Sequence, residues 1–244
     1  MEYAHSLDVL AFSPHPDDAE LYCAGTLLLL AREGKRVGIV DLTRGELSTR
    51  GTLESRAAET AEATRILGLD LRENLELPDG GIASTPEQRE RVITALRQWR
   101  PRTVLLPYFK DRHPDHERAS ALVRDALFAS GLTKVKSTDA GGRPQLPWRP
   151  ARAFYYMLSE DFSPAFIVDV SAVQEIKMQA IRAYATQFHS ETESGEPQTY
   201  ISTPEFLQSL IGRAQRLGFH VGGQYGEGFL PLQPQRFEAA WLLS

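Results

Sequence analysis

The sequence predicts an α/β fold built around a mostly parallel sheet. In the first half of the chain, short apolar runs alternate with longer amphipathic segments, which is the pattern of repeated strand-helix units. The chain has 244 residues, 42% of them hydrophobic, and can therefore bury one large core. We expect a single domain over residues 1–244, in which 1–132 carry the main motifs and 133–244 complete the sheet and the pocket.

Each element is predicted from its apolar pattern and its end signals. The predicted strands are Leu7–Phe12, Arg36–Leu42, Asn74–Leu77, Thr103–Tyr108, Ala153–Leu158 and Ala165–Val170. The predicted helices are Ala19–Glu33, Leu53–Leu67, Pro86–Trp99, Pro114–Ser130, Val173–Phe188 and Pro204–Leu217. Thr85 and Gln88 have the spacing of a capping box, with Pro86 in the first turn, and this fixes the start of the third helix.

Composition excludes several classes of function. Lys and Arg total 27 against 32 Asp and Glu, a formal net charge of −5, so nucleic acid is not an expected partner. The first residues lack the pattern of a secretory signal, and the uncharged run Leu21 to Ala31 is too short to cross a bilayer. The single cysteine, Cys23, cannot form an internal disulfide. We expect a cytoplasmic protein that binds no membrane.

Histidine and aspartate are concentrated in two short clusters. Ser13-Pro14-His15-Pro16-Asp17-Asp18 and Arg112-His113-Pro114-Asp115-His116 each follow a predicted strand and precede a predicted helix. Ligands of open parallel sheets bind at the carboxyl ends of the strands, where the strand order reverses. If the first and fourth strands flank that reversal, both clusters face one crevice.

The residue types in these clusters are typical of a hydrolytic metal site. Such a zinc site uses three protein ligands and leaves one position open, and His15, Asp18 and His116 can supply the three. Asp17 is then free to take a proton from an attacking water, and His113 can protonate a leaving group or stabilise an oxyanion. Asp115 suits a role beside the ligands, where it fixes the tautomer of a histidine.

Other interpretations of the same residues stay open. Asp17 or Asp18 alone is more often a helix cap than a metal ligand, and a single His-Pro pair is more often a turn. A metallophosphoesterase with two metals needs more ligands than the clusters offer. A metal-binding or regulatory protein without turnover is a further alternative, although it has no need of both Asp17 and His113.

The two clusters resemble the signature motifs of the LmbE/PIG-L family, zinc-dependent deacetylases of N-acetylglucosamine conjugates. The resemblance rests on Pro14 to Glu20 and on His113 to Glu117. It implies a Rossmann-like fold with three α/β/α layers, zinc on His15, Asp18 and His116, Asp17 as general base and His113 as a charged partner of the tetrahedral intermediate. Fe²⁺ or another divalent metal is an alternative to zinc. The resemblance also implies a homo-oligomer, with a hexamer as the expected form.

A narrower resemblance concerns the substrate. The segment Asp41 to Thr52, followed by Glu54-Ser55-Arg56, is similar to the branch that deacetylates N-acetylglucosaminyl-malate in bacillithiol biosynthesis. Because a guanidinium binds a carboxylate through two parallel hydrogen bonds, Arg56 and Arg112 are the expected ligands of the malate. Arg56 could instead pair with Glu54 or Glu59 in its own helix. The alternative substrate is another conjugate, such as the inositol-linked precursor of mycothiol or a chitin oligosaccharide.

Two C-terminal segments resemble family segments that approach the site. They are Gln198-Thr199-Tyr200 and residues 222–229, where Gly226 stands in place of the alanine of the bacillithiol branch. We predict that Tyr200 binds substrate and that Tyr225 is structural.

Overall fold

The computed structural model describes residues 6–188 and 195–236 of the chain. The expected single domain over 1–244 therefore includes residues 1–5, 189–194 and 237–244, which lie outside the described residues. None of the helices in the described part is long and apolar enough to cross a membrane.

The described strands form one sheet in the order β3-β2-β1-β4-β5-β7-β6. Neighbours from β3 to β5 are parallel, and β7 runs antiparallel to both β5 and β6. The chain adds β2 and β3 on one side of β1 and then returns to place β4 on the other side. The strand order thus reverses between β1 and β4, which is the condition for the two clusters to face one crevice. The strand bounds are Val9–Ser13 for β1, Val37–Asp41 for β2, Leu71–Asn74 for β3, Thr103–Pro107 for β4, Arg152–Tyr156 for β5, Phe166–Asp169 for β6 and Gly226–Pro231 for β7.

Helices cover both faces of the sheet and give two hydrophobic cores. Along β1, Val9 and Ala11 belong to one core, whereas Leu10 and Phe12 belong to the other. The predicted α/β fold with a mostly parallel sheet is confirmed. The helix bounds are Asp18–Tyr22 for α1, Ala24–Arg32 for α2, Leu53–Leu67 for α3, Pro86–Trp99 for α4, Pro114–Ser130 for α5, Gln174–Arg182 for α6 and Pro204–His220 for α7, with one turn of 3-10 helix at Ser171–Val173.

Three predicted elements differ from the structure, one strand was not predicted, and one predicted capping box is incomplete. The predicted helix Ala19–Glu33 is two helices, because the backbone leaves the helical region at Cys23 with φ −140°. The strand predicted at Asn74–Leu77 lies earlier, and β7 was not predicted at all. The predicted helix Val173–Phe188 is only α6, which ends at Arg182. Thr85 caps α4 as predicted, but the Gln88 side chain accepts from the Ala83 N–H instead of completing the box.

The break before α2 has a tertiary cause. The Cys23 side chain makes no capping bond to α2. Instead, the buried carboxylate of Glu227 on β7 accepts the Gly25 and Thr26 N–H groups at 2.8 Å each, together with the Thr26 hydroxyl. The Lys177 ammonium, also buried, pairs with this carboxylate at 2.7 Å. A carboxylate at a helix N-terminus satisfies N–H groups that have no partner within the helix, so α2 begins where Glu227 can reach it.

Candidate active site

The first functional turn joins β1 to α1. The Ser13 hydroxyl donates to the His15 carbonyl at 2.7 Å and accepts the Ala19 N–H at 3.1 Å, so one side chain closes the turn. Asp17 has φ 123°, which non-glycine residues rarely adopt. It precedes α1 but makes no side-chain capping bond, so the capping alternative does not hold for this residue. The turn directs His15, Asp17 and Asp18 into the crevice beside β4.

The three predicted metal ligands converge on one point. The Asp18 Oδ2 atom lies 3.1 Å from His15 Nδ1 and 3.4 Å from His116 Nε2. Ligand atoms bound tetrahedrally to zinc at about 2.0–2.1 Å lie about 3.3 Å apart. Two imidazoles and a carboxylate in this geometry fit a zinc ion or a similar divalent metal. His15, Asp18 and His116 are therefore the candidate metal site.

Carboxylates hold the other nitrogen of each ligand histidine. His116 Nδ1 lies 2.9 Å from Asp111 Oδ1, and His15 Nε2 lies 3.2 Å from Asp79 Oδ1 and 3.7 Å from Asp115 Oδ2. Such contacts fix the tautomer and the ring orientation, so that the remaining nitrogen faces the metal. Asp115 thus lies beside the ligand His15, where it was expected to fix the tautomer of a histidine. Its carboxylate also accepts the Gly80 N–H at 2.6 Å.

Asp111 and Asp79 were not identified from the sequence. Asp111 stands two residues before His113, so its closeness to the second cluster was the available signal. Asp79 belongs to neither cluster, and no sequence pattern marks it. The fold brings it to the site, where its Oδ2 atom accepts the Leu47 N–H at 2.9 Å.

The metal-site groups have perturbed pKa values, each with a definable cause. Burial opposes the charge of both histidines, but hydrogen bonds with Asp115, Asp18 and Asp79 raise the pKa of His15 well above its usual value. Burial also lowers the pKa of His116, but the opposing effects, chiefly that of the Asp18 charge, are together larger and raise the pKa to about 9. Burial would raise the pKa of Asp18, yet the two histidines lower it. The donor set therefore attracts positive charge, which a divalent cation can supply in place of protons.

Asp17 lies beside these ligands in a different environment. Its Oδ2 atom pairs with Arg56 Nη1 at 2.8 Å, and both side chains are buried. Burial is the dominant effect and raises the pKa of Asp17 to about 7, although the Arg56 charge opposes the shift. A general base is most effective when its pKa is near the working pH. Arg56 pairs with neither Glu54 nor Glu59; Glu59 accepts from the N–H and the hydroxyl of Thr186.

His113 has one nitrogen bound to the backbone. It is the N-cap of α5, and its Nδ1 atom accepts the Asp115 N–H at 3.2 Å. Burial lowers the pKa of His113, and the neighbouring His116 and His15 lower it further. A neutral imidazole whose Nδ1 accepts a hydrogen bond carries its proton on Nε2. His113, which lines the site cavity, is therefore a neutral hydrogen-bond donor, whereas the resemblance implies a charged partner of the intermediate.

The site opens into a cavity of about 510 Å³. Arg112 and Tyr200 are part of its wall, with the Arg112 guanidinium 4.1 Å above the Tyr200 ring, and 59% of Tyr200 is exposed. His15, Asp18 and His116 are among the residues that line the cavity. The remaining wall includes the apolar residues Leu21, Tyr22, Leu47, Ile201 and Phe206.

The segment at 222–229 lies away from this wall. Tyr225, just before β7, packs against the hydrophobic core, and Glu227 within β7 binds α2. No residue of the segment lines the cavity, so its expected approach to the site is not seen. The structural role predicted for Tyr225 agrees with its position.

Comparison with known proteins agrees with the two motifs. The family model described as PIG-L: GlcNAc-PI de-N-acetylase matches residues 10–127, which include both clusters. The diacetylchitobiose deacetylase of Thermococcus kodakarensis is 33% identical over 240 residues, which cover 91% of this chain and 83% of the relative. This chain belongs to the PIG-L family. It is a deacetylase, as the resemblance implied.

Two further proteins define how far the similarity extends. The crystal structure of the conserved protein TT1542 from Thermus thermophilus matches with a TM-score of 0.85 and 40% identity, covering 96% of this chain and 98% of that one. The probable N-acetyl-alpha-D-glucosaminyl L-malate deacetylase 2 of Bacillus anthracis is 30% identical over 201 residues, which cover 74% of this chain and 81% of the relative. The family prediction is confirmed. The bacillithiol branch stays a prediction.

Proposed function

We propose that this deacetylase hydrolyses the acetamide of an N-acetylglucosamine conjugate and releases acetate and a free amine. The observation that carries the proposal is the convergence of His15, Asp18 and His116 on one point, with Asp17 beside them and not used as a ligand. A protein that only binds metal has no need of a buried carboxylate at that place. The family match supports the same reaction.

A divalent metal, which we propose to be Zn²⁺, would be held by His15, Asp18 and His116, where it would supply a Lewis acid and lower the pKa of a water. Asp17 takes one proton from the attacking water, whose oxygen forms a bond to the acetyl carbon. His113 donates a hydrogen bond from Nε2 to the carbonyl oxygen as negative charge develops there. The C–N bond then breaks, and Asp17 returns the proton to the leaving nitrogen.

The group attached to the sugar would meet Arg112 and Tyr200. N-acetylglucosaminyl-malate is the substrate proposed from the Asp41 to Arg56 motif and the Bacillus anthracis relative. In this case Arg112 would bind a malate carboxylate. A chitin disaccharide is the second candidate, favoured by the Thermococcus kodakarensis relative and by the exposed Tyr200 ring, whose apolar face can pack against a pyranose.

Acetate release from a panel of substrates tests the proposal. The panel contains N-acetylglucosaminyl-malate, diacetylchitobiose and the inositol-linked conjugate, each with and without a chelator. We expect release from at least one of them and its loss with the chelator. Asp17→Asn should keep the metal and lower kcat by about 100-fold or more, since a positioned base contributes about 10²- to 10⁴-fold.

The matched control is Glu90→Gln, which neutralises an exposed carboxylate on α4 and should leave kcat unchanged. Metal analysis of each purified variant separates a lost base from a lost metal. No acetate from any substrate in the metal-loaded protein would contradict the proposed reaction. Full activity of Asp17→Asn would contradict the role of Asp17 alone.

A further inference from the structure

The Arg56 guanidinium, expected from the sequence to bind substrate, is held by the turn that carries Asp17. Its Nη1 atom donates to the Pro16 carbonyl at 2.5 Å and to Asp17 Oδ2 at 2.8 Å. Its Nη2 atom lies 3.3 Å from the Ser48 hydroxyl. Only 7% of Arg56 is exposed. A side chain held by three protein oxygens in this way has its position set before any substrate arrives.

The turn itself needs an external restraint. The Asp17 backbone is in a conformation with positive φ that costs energy unless surrounding contacts hold it. One nitrogen of Arg56 binds the carbonyl of the residue before Asp17 and also the Asp17 side chain. This contact fixes both the backbone and the carboxylate at the strained residue.

Ser13 also closes the turn, but no other side chain of the described residues anchors the Asp17 carboxylate. The Asp17 side chain makes no capping bond to α1. Within residues 6–188 and 195–236, Arg56 is the only hydrogen-bond partner of the Asp17 carboxylate. The contact occupies Oδ2 and leaves Oδ1 without a partner in this part of the chain. One carboxylate oxygen is thus anchored, while the other is free to accept a proton.

We propose that Arg56 is a positioning residue that fixes the Asp17 carboxylate for proton transfer, and not the ligand of a substrate carboxylate. The proposal rests on the proposed function through the role of Asp17 as base. It replaces the malate-binding role expected from the sequence. The two roles differ in what the substrate must provide, because positioning affects every substrate, whereas a carboxylate ligand affects only anionic ones.

Steady-state kinetics of Arg56→Gln and Arg56→Lys distinguish these roles. For the Gln variant we expect kcat to fall by about 10- to 100-fold, the cost of a misplaced reacting group. The loss should be the same for every panel substrate that the wild type hydrolyses, whether neutral diacetylchitobiose or anionic N-acetylglucosaminyl-malate, with KM within about threefold of wild type. The Lys variant, which keeps the charge, should recover part of kcat. A rise in KM confined to the malate conjugate, with kcat unchanged, would overturn the proposal.

A double-mutant cycle tests whether Arg56 acts through Asp17. If it does, Arg56→Gln should have no further effect on kcat in the Asp17→Asn background. Losses that simply multiply would show that Arg56 acts independently of the base. The matched control is Arg65→Gln on the same helix, where the arginine is exposed and pairs with Glu62, and where kcat should stay unchanged.

A crystal structure of metal-loaded Arg56→Gln gives an answer that does not depend on turnover. We expect the Asp17 carboxylate to move or to occupy more than one conformation, while His15, Asp18 and His116 keep their places. An Asp17 carboxylate that stays in its wild-type position would refute the positioning role. Absence of acetate release by the wild type would refute the proposed function, and this structural comparison would still decide the role of Arg56.

Discussion

Replacing Asp111 by asparagine should weaken metal binding without removing a ligand. Asp111 Oδ1 lies 2.9 Å from His116 Nδ1 and accepts the His113 N–H at 2.9 Å, while Oδ2 accepts the Ser159 N–H at 2.7 Å. Asparagine has the same shape but only one accepting oxygen. It can therefore accept either from His116 and His113 or from Ser159, but not from both sets of donors. Loss of such a contact typically lowers metal affinity by about 10- to 100-fold, or about 1.4 to 2.7 kcal/mol.

Competition with a chromophoric chelator measures this affinity for wild type, Asp111→Asn and the exposed control Glu90→Gln. Thermal unfolding with excess chelator separates a general loss of stability from weaker metal binding. We expect the metal dissociation constant of Asp111→Asn to rise by about 10- to 100-fold, with little change for the control. An affinity within about twofold of wild type would refute the reasoning that the Asp111 carboxylate orients His116 toward the metal.

Three further predictions concern separate parts of the molecule. His116→Ala should lose the metal and all acetate release, as measured by metal analysis and the acetate assay, because two ligands remain. Tyr200→Ala should raise KM for diacetylchitobiose by about 5- to 20-fold, and Tyr200→Phe should not, if the ring face supplies the contact; equal effects would contradict this. Glu227→Ala should destabilise the protein by about 3–5 kcal/mol in urea unfolding, since it leaves the buried Lys177 charge unpaired. A loss below about 1 kcal/mol would show that this pair contributes little.

The location of the site was predictable because it depends on the topology of parallel sheets. Both clusters directly follow strands, and the alternation of apolar and amphipathic segments identified β1 and β4 as members of one sheet. The carboxyl ends of neighbouring parallel strands share an edge, so His15 and His116 had to lie near each other once the order reversed there. Helices α3, α4 and α5 were predicted with their observed bounds, and Thr85 caps the start of α4 as expected.

Elements that depend on distant contacts were not predictable. The apolar run from Leu21 to Ala31 predicts one helix, whereas the start of α2 follows from its contact with the distant Glu227 carboxylate. The strand predicted at Asn74–Leu77 was placed too late because Leu75, which is buried, lies after the end of β3 and not within it. Arg72 lies within the strand and pairs with Asp41 and Glu20. An edge strand with this composition shows no alternation to detect.

Distant contacts also determine the site, where the pKa values of the adjacent residues Asp17 and Asp18 shift in opposite directions. Burial raises the pKa of both Asp17 and Asp18, but Asp18 contacts two imidazoles, which reverse the shift, whereas Asp17 contacts one guanidinium, which does not. Asp17 has a positive φ and its side chain contacts Arg56, whereas the Asp18 side chain contacts His15 and His116. Environments that separate the pKa values of neighbouring carboxylates also separate their roles. The different partners of the two side chains therefore explain why Asp18 suits a metal and Asp17 a proton.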